Sequence, residues 1–138
     1  VKSLPQAITA IEQADLILLG PGSFLTSIVP PLLIRDISKA LIKRQGICLL
    51  LDNIVTESSP ASELSIDEKL DWLDNNIDCL PIDAVLTANK EMKSRKVKVI
   101  CQDLANDNIN HHHDKEKLLN ALQVCLDVLY EKKKMVAN

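Results

Sequence analysis

An uninterrupted apolar run enters a glycine-rich turn near the start of the chain, and this junction constrains the fold more than any other segment. Leu16–Leu19 contains only Leu and Ile, which is typical of a strand in a parallel sheet covered on both faces. Gly20 and Gly22 permit backbone angles that other residues avoid. Ser23 is a suitable N-cap for a helix beginning at Phe24. The segment therefore predicts a buried strand, a tight turn and a helix.

The predicted turn is also a candidate anion site. Backbone amides at the start of a helix have no partner within it, and the helix dipole places partial positive charge there. A phosphate or carboxylate group is stabilised at such a position. The candidate contacts are the backbone of Gly20 and Gly22 and the hydroxyls of Ser23 and Thr26. The alternative is a strand–helix connection that binds nothing, because short glycine motifs often occur without a ligand.

Short apolar strands alternate with amphipathic helices along the rest of the chain. This order predicts one α/β unit over residues 1–138, a three-layer α/β/α sandwich with a Rossmann-like, mostly parallel sheet. The predicted strands are 16–19, 47–51, 84–87 and 96–101, the last nearer an edge because its residues alternate at first. The predicted helices are 5–14, 24–29, 32–43, 65–77 and 115–133.

Several residues mark the expected helix ends. Pro30 and Pro31 are expected to separate the second helix from the third, since proline suits a first turn but not a helix interior. Gly46 is expected to be the C-cap of the third helix. Ser65 and Glu68 have the spacing of a capping box and predict the start of the fourth helix.

Ligands of open parallel sheets bind at the carboxyl ends of the strands. Two polar loops follow predicted strands at this edge, residues 20–27 and residues 52–63. Asn53 and Thr56 in the second loop are candidate polar contacts, but both residue types also form turns and caps. Asp52 could hold a cation or a ribose hydroxyl. The two loops together form the predicted site.

The composition argues against several classes of partner. A hydrophobic content of 46% and a charged content of 25% are those of a soluble globular protein. A net charge of −3 and an aromatic content of 2% argue against nucleic acid and anionic membranes as partners. No apolar stretch is long enough to cross a bilayer. The cysteines, which form no CxxC pair, are expected to be buried free thiols in a reducing cytoplasm: Cys48, Cys79, Cys101 and Cys125.

A histidine run near the last helix resembles a metal motif. Consecutive histidines in one loop do not easily converge on one ion, and no second cluster completes a ligand set. The run His111, His112 and His113 is therefore not expected to be a native metal site. Asp114, which follows, is a natural N-cap for the last helix.

The chain from Ala14 to Pro30 resembles the ADLIxxGPGSxxTSxxP signature of the CofD-like family, which contains 2-phospho-L-lactate transferases and bacterial gluconeogenesis factors. The Gly-Pro-Gly-Ser turn resembles the bacterial branch, since the transferases usually carry a different short sequence there. Further segments with family-like order and spacing are Asn53 to Glu57, Ile82 to Leu86, Asp103–Leu104 and His113–Asp114, with His112 where arginine is common.

The resemblance implies a Rossmann-like fold, a chain that corresponds to the C-terminal half of a longer protein, and a ligand held between the two halves. It also implies a ligand-facing role for His113. The first hypothesis is a cytoplasmic regulatory protein that binds a nucleotide sugar such as a UDP-sugar, or a dinucleotide such as NADP. Such a protein would be linked to carbon metabolism, cell-wall synthesis and cell shape.

The second hypothesis is a transferase that moves a phospholactyl or enolpyruvyl-phospho group from a guanosine nucleotide donor, with GDP as the candidate nucleotide ligand and Mg²⁺ as the candidate metal. The third hypothesis is a folded fragment without activity. Enzymatic activity therefore stays open from the sequence. If an N-terminal half normally covers one edge of the sheet, the isolated chain is expected to expose apolar surface there and to form a homodimer.

Overall fold

The computed structural model describes residues 3–55, 58–77, 79–109 and 112–137, with a four-stranded parallel sheet at its centre. The strands, side by side in chain order, are β1 (Leu16–Leu19), β2 (Ile47–Leu51), β3 (Ala84–Thr87) and β4 (Lys98–Cys101). The helices are α1 (Pro5–Gln13), α2 (Val29–Leu32), α3 (Arg35–Lys43), α4 (Ile66–Asn76) and α5 (Lys115–Ala137). A π-helical turn, Phe24–Ile28, precedes α2, and a 3-10 turn, Pro60–Glu63, precedes α4.

Each face of the sheet packs against its own helices. Cys48 and Leu50 of β2 point to one face and join buried side chains of the π-helical turn, α2, α3 and α4. Ile47, Leu49 and Leu51 point to the other face and join buried side chains of α5. Right-handed connections that all run in one direction across a sheet place their helices on one face, which leaves the other face to α5. The three-layer α/β fold predicted from the sequence is confirmed.

The two outer strands are less covered than the inner ones. Every residue of β2 and β3 is buried, whereas in β4 only Ile100 is buried and both end residues are exposed, as predicted for a strand nearer an edge. β4 begins at Lys98, two residues later than predicted. The prediction that β1 is covered on both faces is wrong. Leu18 of β1 is 39% exposed, because β1 is the other edge of the sheet and only β2 pairs with it among the described residues.

Two predicted helix boundaries are corrected. The two prolines lie in the first turn of α2, where their missing amides cost nothing. The chain instead breaks at Ile34, which has extended angles and immediately precedes α3. Gly46 is not a C-cap, because α3 ends at Lys43. A Cβ at Gly46 would collide with the carbonyl oxygens of Ala14 and Asp15, so glycine is needed there for close backbone packing.

The predicted caps of α4 and α5 are confirmed. The Ser65 hydroxyl accepts a hydrogen bond from the Glu68 amide at 3.2 Å, and a Glu68 carboxylate oxygen accepts one from the Ser65 amide at 2.7 Å. Asp114 accepts a hydrogen bond from the Lys117 amide at 3.0 Å. Both caps satisfy amides that the helix itself leaves unpaired.

All the cysteines are free thiols, but only two of them are buried. Burial raises the pKa of Cys48 to about 12 and that of Cys125 to about 11. Cys79 and Cys101 are exposed, which corrects the prediction for them. Cys101 ends the edge strand β4, and Cys79 lies in the connection between α4 and β3. None of the described helices combines the length and apolar content that crossing a bilayer requires.

Candidate functional site

The glycine turn after β1 has a backbone that only glycine adopts easily. Gly20 has a φ of +92° and precedes a cis peptide bond to Pro21. A Cβ at Gly20 would lie 2.9 Å from the carbonyl oxygen of Leu51 and 3.2 Å from Cδ1 of Ile28. Positive φ and the closeness of β2 therefore both require glycine at this position. The turn lies directly against the carboxyl end of β2.

Asn53 holds this turn to the segment that follows β2. Its side-chain oxygen accepts a hydrogen bond from the Gly22 amide at 3.0 Å, and its side-chain nitrogen donates to the Gly22 carbonyl at 3.1 Å. The two bonds satisfy both backbone polar groups of Gly22. Asn53 thus clamps two candidate loops of the site together, and the Gly22 amide already has a partner within the protein.

The hydroxyl residues of the turn lie at its outer side. Ser23 precedes the π-helical turn, and its carbonyl accepts hydrogen bonds from the amides of Ser27 and Ile28 at 2.9 and 3.1 Å. Its side chain makes no capping hydrogen bond, so Ser23 occupies the predicted N-cap position without the predicted cap by its hydroxyl. Ser23 is half-buried and Thr26 is exposed. Neither is among the described residues that line the cavities below.

A cavity of about 580 Å³ opens at the carboxyl ends of β2 and β3. We call it the main cavity, and its volume is in the range of ligand pockets. A smaller pocket beside the glycine turn, lined also by Gly22, Phe24 and Ile28, shares four wall residues with the main cavity: Asp52, Asn53, Ile66 and Lys69. The remaining described residues of the main cavity are Ile54, Ser62, Leu64, Ser65, Asn89, Glu91, Met92 and Lys93. Thr56 lies outside the described residues.

Asp52 connects three elements at this edge. Its carboxylate accepts a hydrogen bond from the buried Thr87 hydroxyl at 2.8 Å, and the same hydroxyl oxygen accepts one from the Asn89 amide at 3.0 Å. The Asp52 backbone amide donates to the Leu86 carbonyl at 2.9 Å. The ends of β2 and β3 are therefore fixed to each other, with the Asp52 carboxylate in the wall of the main cavity.

His113 contacts the backbone of the site at Asp52 and does not line the main cavity. Its Nε2 lies 3.2 Å from the Asp52 backbone oxygen, and Nε2 must carry the proton in this bond because a carbonyl only accepts. The His113 ring lines a separate cavity of about 370 Å³, with His112 and the start of α5, and not the main cavity. His113 thus supports the Asp52 segment, while His111 lies outside the described residues. Among the described residues, no His, Cys, Asp or Glu cluster could hold a metal ion.

The connection between β3 and β4 forms another wall and is fastened to α4. Asp67 accepts hydrogen bonds from the Ser94 hydroxyl and the Arg95 amide. These two donors, the Ser94 hydroxyl first, hold the pKa of the Asp67 carboxyl below its usual value. Lys96 pairs with Asp71 at 2.7 Å. The main cavity therefore lies between two elements that are tied together.

The sequence interpretation missed Lys69, which lines both cavities. Its amine lies 5.6 Å from the centre of the Phe24 ring, within range of a cation–π interaction. The signal that could have found it is the Ser65–Glu68 capping box. That motif starts α4 at the carboxyl edge of the sheet, so a side chain in the first turns of α4 faces the site.

An open parallel α/β sandwich with a polar cavity at the carboxyl ends of its strands defines a class of proteins that bind ligands at this edge. The family model described as "2-phospho-L-lactate transferase CofD" matches residues 1–128. The chain belongs to the CofD family.

Named relatives support the same assignment. The chain is 38% identical over 132 residues to a Pasteurella multocida protein named "Putative gluconeogenesis factor", and the match covers 94% of this chain and 43% of the relative. It is 30% identical over 92 residues to the "Gluconeogenesis factor" of Bacillus subtilis, covering 67% of this chain and 29% of the relative.

A crystal structure of a UPF0052 family member from Bacillus halodurans shares the fold. The TM-score is 0.74 at 20% identity, over 87% of this chain and 46% of that chain. The chain therefore spans less than half the length of each of these three relatives.

Proposed function

We propose that this chain supplies one wall of a regulatory site that binds a nucleotide sugar or a related phosphorylated nucleotide. The observation that carries the proposal is the main cavity, which lies at the ligand-binding edge of the sheet and is lined mostly by polar and charged side chains. Its volume of about 580 Å³ accommodates a ligand of this size class. The names of the similar proteins favour the gluconeogenesis-factor type. For a protein of this type we propose a link to carbon metabolism, cell-wall synthesis and cell shape.

Two features suit the two ends of such a ligand. Lys69 and Lys93 supply positive charge for phosphate, while Asp52 and Asn89 supply oxygen acceptors for hydroxyl groups. The clamp from Asn53 fixes the glycine turn beside them before any ligand arrives. The free thiols fit the cytoplasmic location that we propose for this function.

The test is an NMR titration of the ¹⁵N-labelled chain with UDP-N-acetylglucosamine, GDP and NADP. The amide chemical shift of every residue is monitored as each ligand is added. The proposal expects UDP-N-acetylglucosamine to shift the amides of Gly22, Asn53, Ile66 and Asn89. The full-length Pasteurella multocida relative serves as the reference. Binding by the relative alone would support a site that needs both halves of the longer protein. Shifts confined to the opposite edge of the sheet, or no binding by either protein, would contradict the proposal.

The match to the CofD family model favours one second candidate, a transferase acting on a guanosine nucleotide. In that case the chain would position a phosphorylated group against an alcohol, with Mg²⁺ bound together with the ligand. Tighter binding of GDP than of UDP-N-acetylglucosamine, and only with Mg²⁺ present, would favour the transferase.

We also propose that, in a protein as long as the relatives, the β1 edge packs against the residues that this chain lacks. Leu18 of β1 is 39% exposed, and β1 has an unpaired outer side within the described sheet. The isolated chain should then form a dimer through this edge at high concentration. Analytical ultracentrifugation checks this, and a Leu18→Lys variant that sediments like the unchanged chain would argue against the edge.

A further inference from the structure

Lys69 differs both from the lysines that carboxylates neutralise and from Lys93, the other lysine of the main cavity, which is exposed and does not line the smaller pocket. Lys96 lies 2.7 Å from Asp71, and Lys117 lies 2.9 Å from Asp103. Lys69 forms no ion pair within the part of the chain that the structure describes. Its contact is the face of the Phe24 ring, 5.6 Å from the amine.

The position of Lys69 places its charge at the wall of both cavities. It is half-buried and lines both the main cavity and the smaller pocket beside the glycine turn. The Phe24 ring is itself buried and packs edge-on against Trp72, with ring centres 6.5 Å apart. A ring fixed in this way restricts where the ammonium group can lie. An ammonium group is stabilised by an anion, and Lys69 lines both cavities in which an anion could bind.

The opposite wall supplies the complementary chemistry. Asp52 accepts the Thr87 hydroxyl through Oδ2, and its Oδ1 makes no hydrogen bond within the described residues. A carboxylate oxygen of this kind accepts a hydrogen bond from a ligand hydroxyl. The cavity thus offers a cation on the α4 side and an acceptor at the end of β2. A sugar phosphate or nucleoside diphosphate carries groups that match both walls.

We propose that Lys69 binds a phosphate oxygen of the ligand and that Phe24 positions the lysine for this contact. The inference rests on the proposed function and deepens it, because it assigns the phosphate contact to a residue outside the glycine turn. Selection for a phosphorylated ligand then depends mainly on this side chain of α4, and Lys93 adds positive charge at the same cavity. Asp52 contacts a hydroxyl of the same ligand.

The experiment compares UDP with uridine and GDP with guanosine, so that only the phosphates differ within each pair. Calorimetric affinities at fixed ionic strength are measured for the unchanged chain, Lys69→Gln, Lys69→Arg and Phe24→Leu. Lys90→Gln is the matched control, because Lys90 lies in the β3–β4 connection outside the described lining. Urea unfolding of each variant shows that the fold is retained.

Lys69→Gln is expected to lower the affinity for the diphosphate roughly 10- to 100-fold, as for loss of a charged hydrogen bond, and to leave the nucleoside affinity unchanged. Lys69→Arg should retain most of the diphosphate affinity, and Phe24→Leu should lose part of it. If the unchanged chain binds a diphosphate and Lys69→Gln binds it equally well, the inference is wrong and the proposed function stands. If the unchanged chain binds UDP-N-acetylglucosamine but neither diphosphate, the inference is wrong and the proposed function stands. If the unchanged chain and the full-length relative bind none of these three nucleotides, both are wrong.

Discussion

Replacing Asn53 by alanine separates a structural role for this residue from a ligand-binding role. The side chain makes two hydrogen bonds to the Gly22 backbone, at 3.0 and 3.1 Å, across 31 positions of the chain. A neutral hydrogen bond contributes a net ~0.5–1.5 kcal/mol to stability, so the loss of two is expected to cost ~1–3 kcal/mol. That is a large fraction of a total unfolding free energy of roughly 5–15 kcal/mol.

The assay is urea unfolding followed by circular dichroism, with the unfolding free energy taken from linear extrapolation. Asn89→Ala is the matched control. Asn89 lines the same cavity, but its side-chain oxygen accepts only a local hydrogen bond, from the Glu91 amide at 2.9 Å. We expect Asn53→Ala to lower the unfolding free energy and Asn89→Ala to change it by much less. The dependence on urea concentration should stay the same, because the folded state keeps its compactness.

The relative stability of the two variants decides whether Asn53 holds the glycine turn. If Asn53→Ala is no less stable than Asn89→Ala, the two hydrogen bonds do not hold the glycine turn. A loss of ligand affinity at unchanged stability would then assign Asn53 to ligand contact, as the sequence first indicated. If the clamp is correct, stability and affinity fall together, because the turn loses its fixed position.

Two further predictions concern the walls of the site. Gly20→Ala should lower the unfolding free energy by about 2–5 kcal/mol, because of the positive φ and the crowding against Leu51. Gly22→Ala should lower it less, because the nearest contact there is a serine side chain. Urea unfolding of both variants checks this order, and equal losses of unfolding free energy would contradict it. Asp67 has a folded-state pKa below its unfolded value, so its stabilising effect is present above about pH 4 and is lost as the pH falls below that. Asp67→Asn should therefore flatten the acid side of the stability profile, and an unchanged profile would show that this carboxylate does not stabilise the fold.

The order of the elements could be predicted from the sequence because the strong local signals agree with each other. Continuous apolar runs indicated the strands β1 to β3, and the Ser65–Glu68 pair indicated the start of α4. The boundary between α2 and α3 could not be predicted in this way. Proline is compatible with both a break and a first turn, and the surrounding packing decides between them.

The edge that carries the site could also be predicted, but its contacts could not. Parallel strands place the loops after β1 and β2 together, so the glycine turn and Asn53 were expected near each other. The hydrogen bonds between Asn53 and Gly22 depend on the register of β1 against β2, which no local pattern encodes. Lys69 resembles any surface lysine in the sequence. Only the positions of the Phe24 ring and the main cavity distinguish it.

The walls of the main cavity are held by side chains that follow strands or begin helices, and this makes the site rigid before a ligand binds. Asn53 joins the glycine turn to β2, Thr87 joins β2 to β3 through Asp52, and Asp67 joins α4 to the β3–β4 connection. Because folding already orders these groups, a ligand does not have to order them, and more of its contact energy is available for affinity. Lys69 is different, since a ring contact and not an ion pair restrains it. Acceptors fixed by hydrogen bonds, together with the lysines that line the same cavity, are the arrangement expected of a site whose specificity depends on the charge of its ligand.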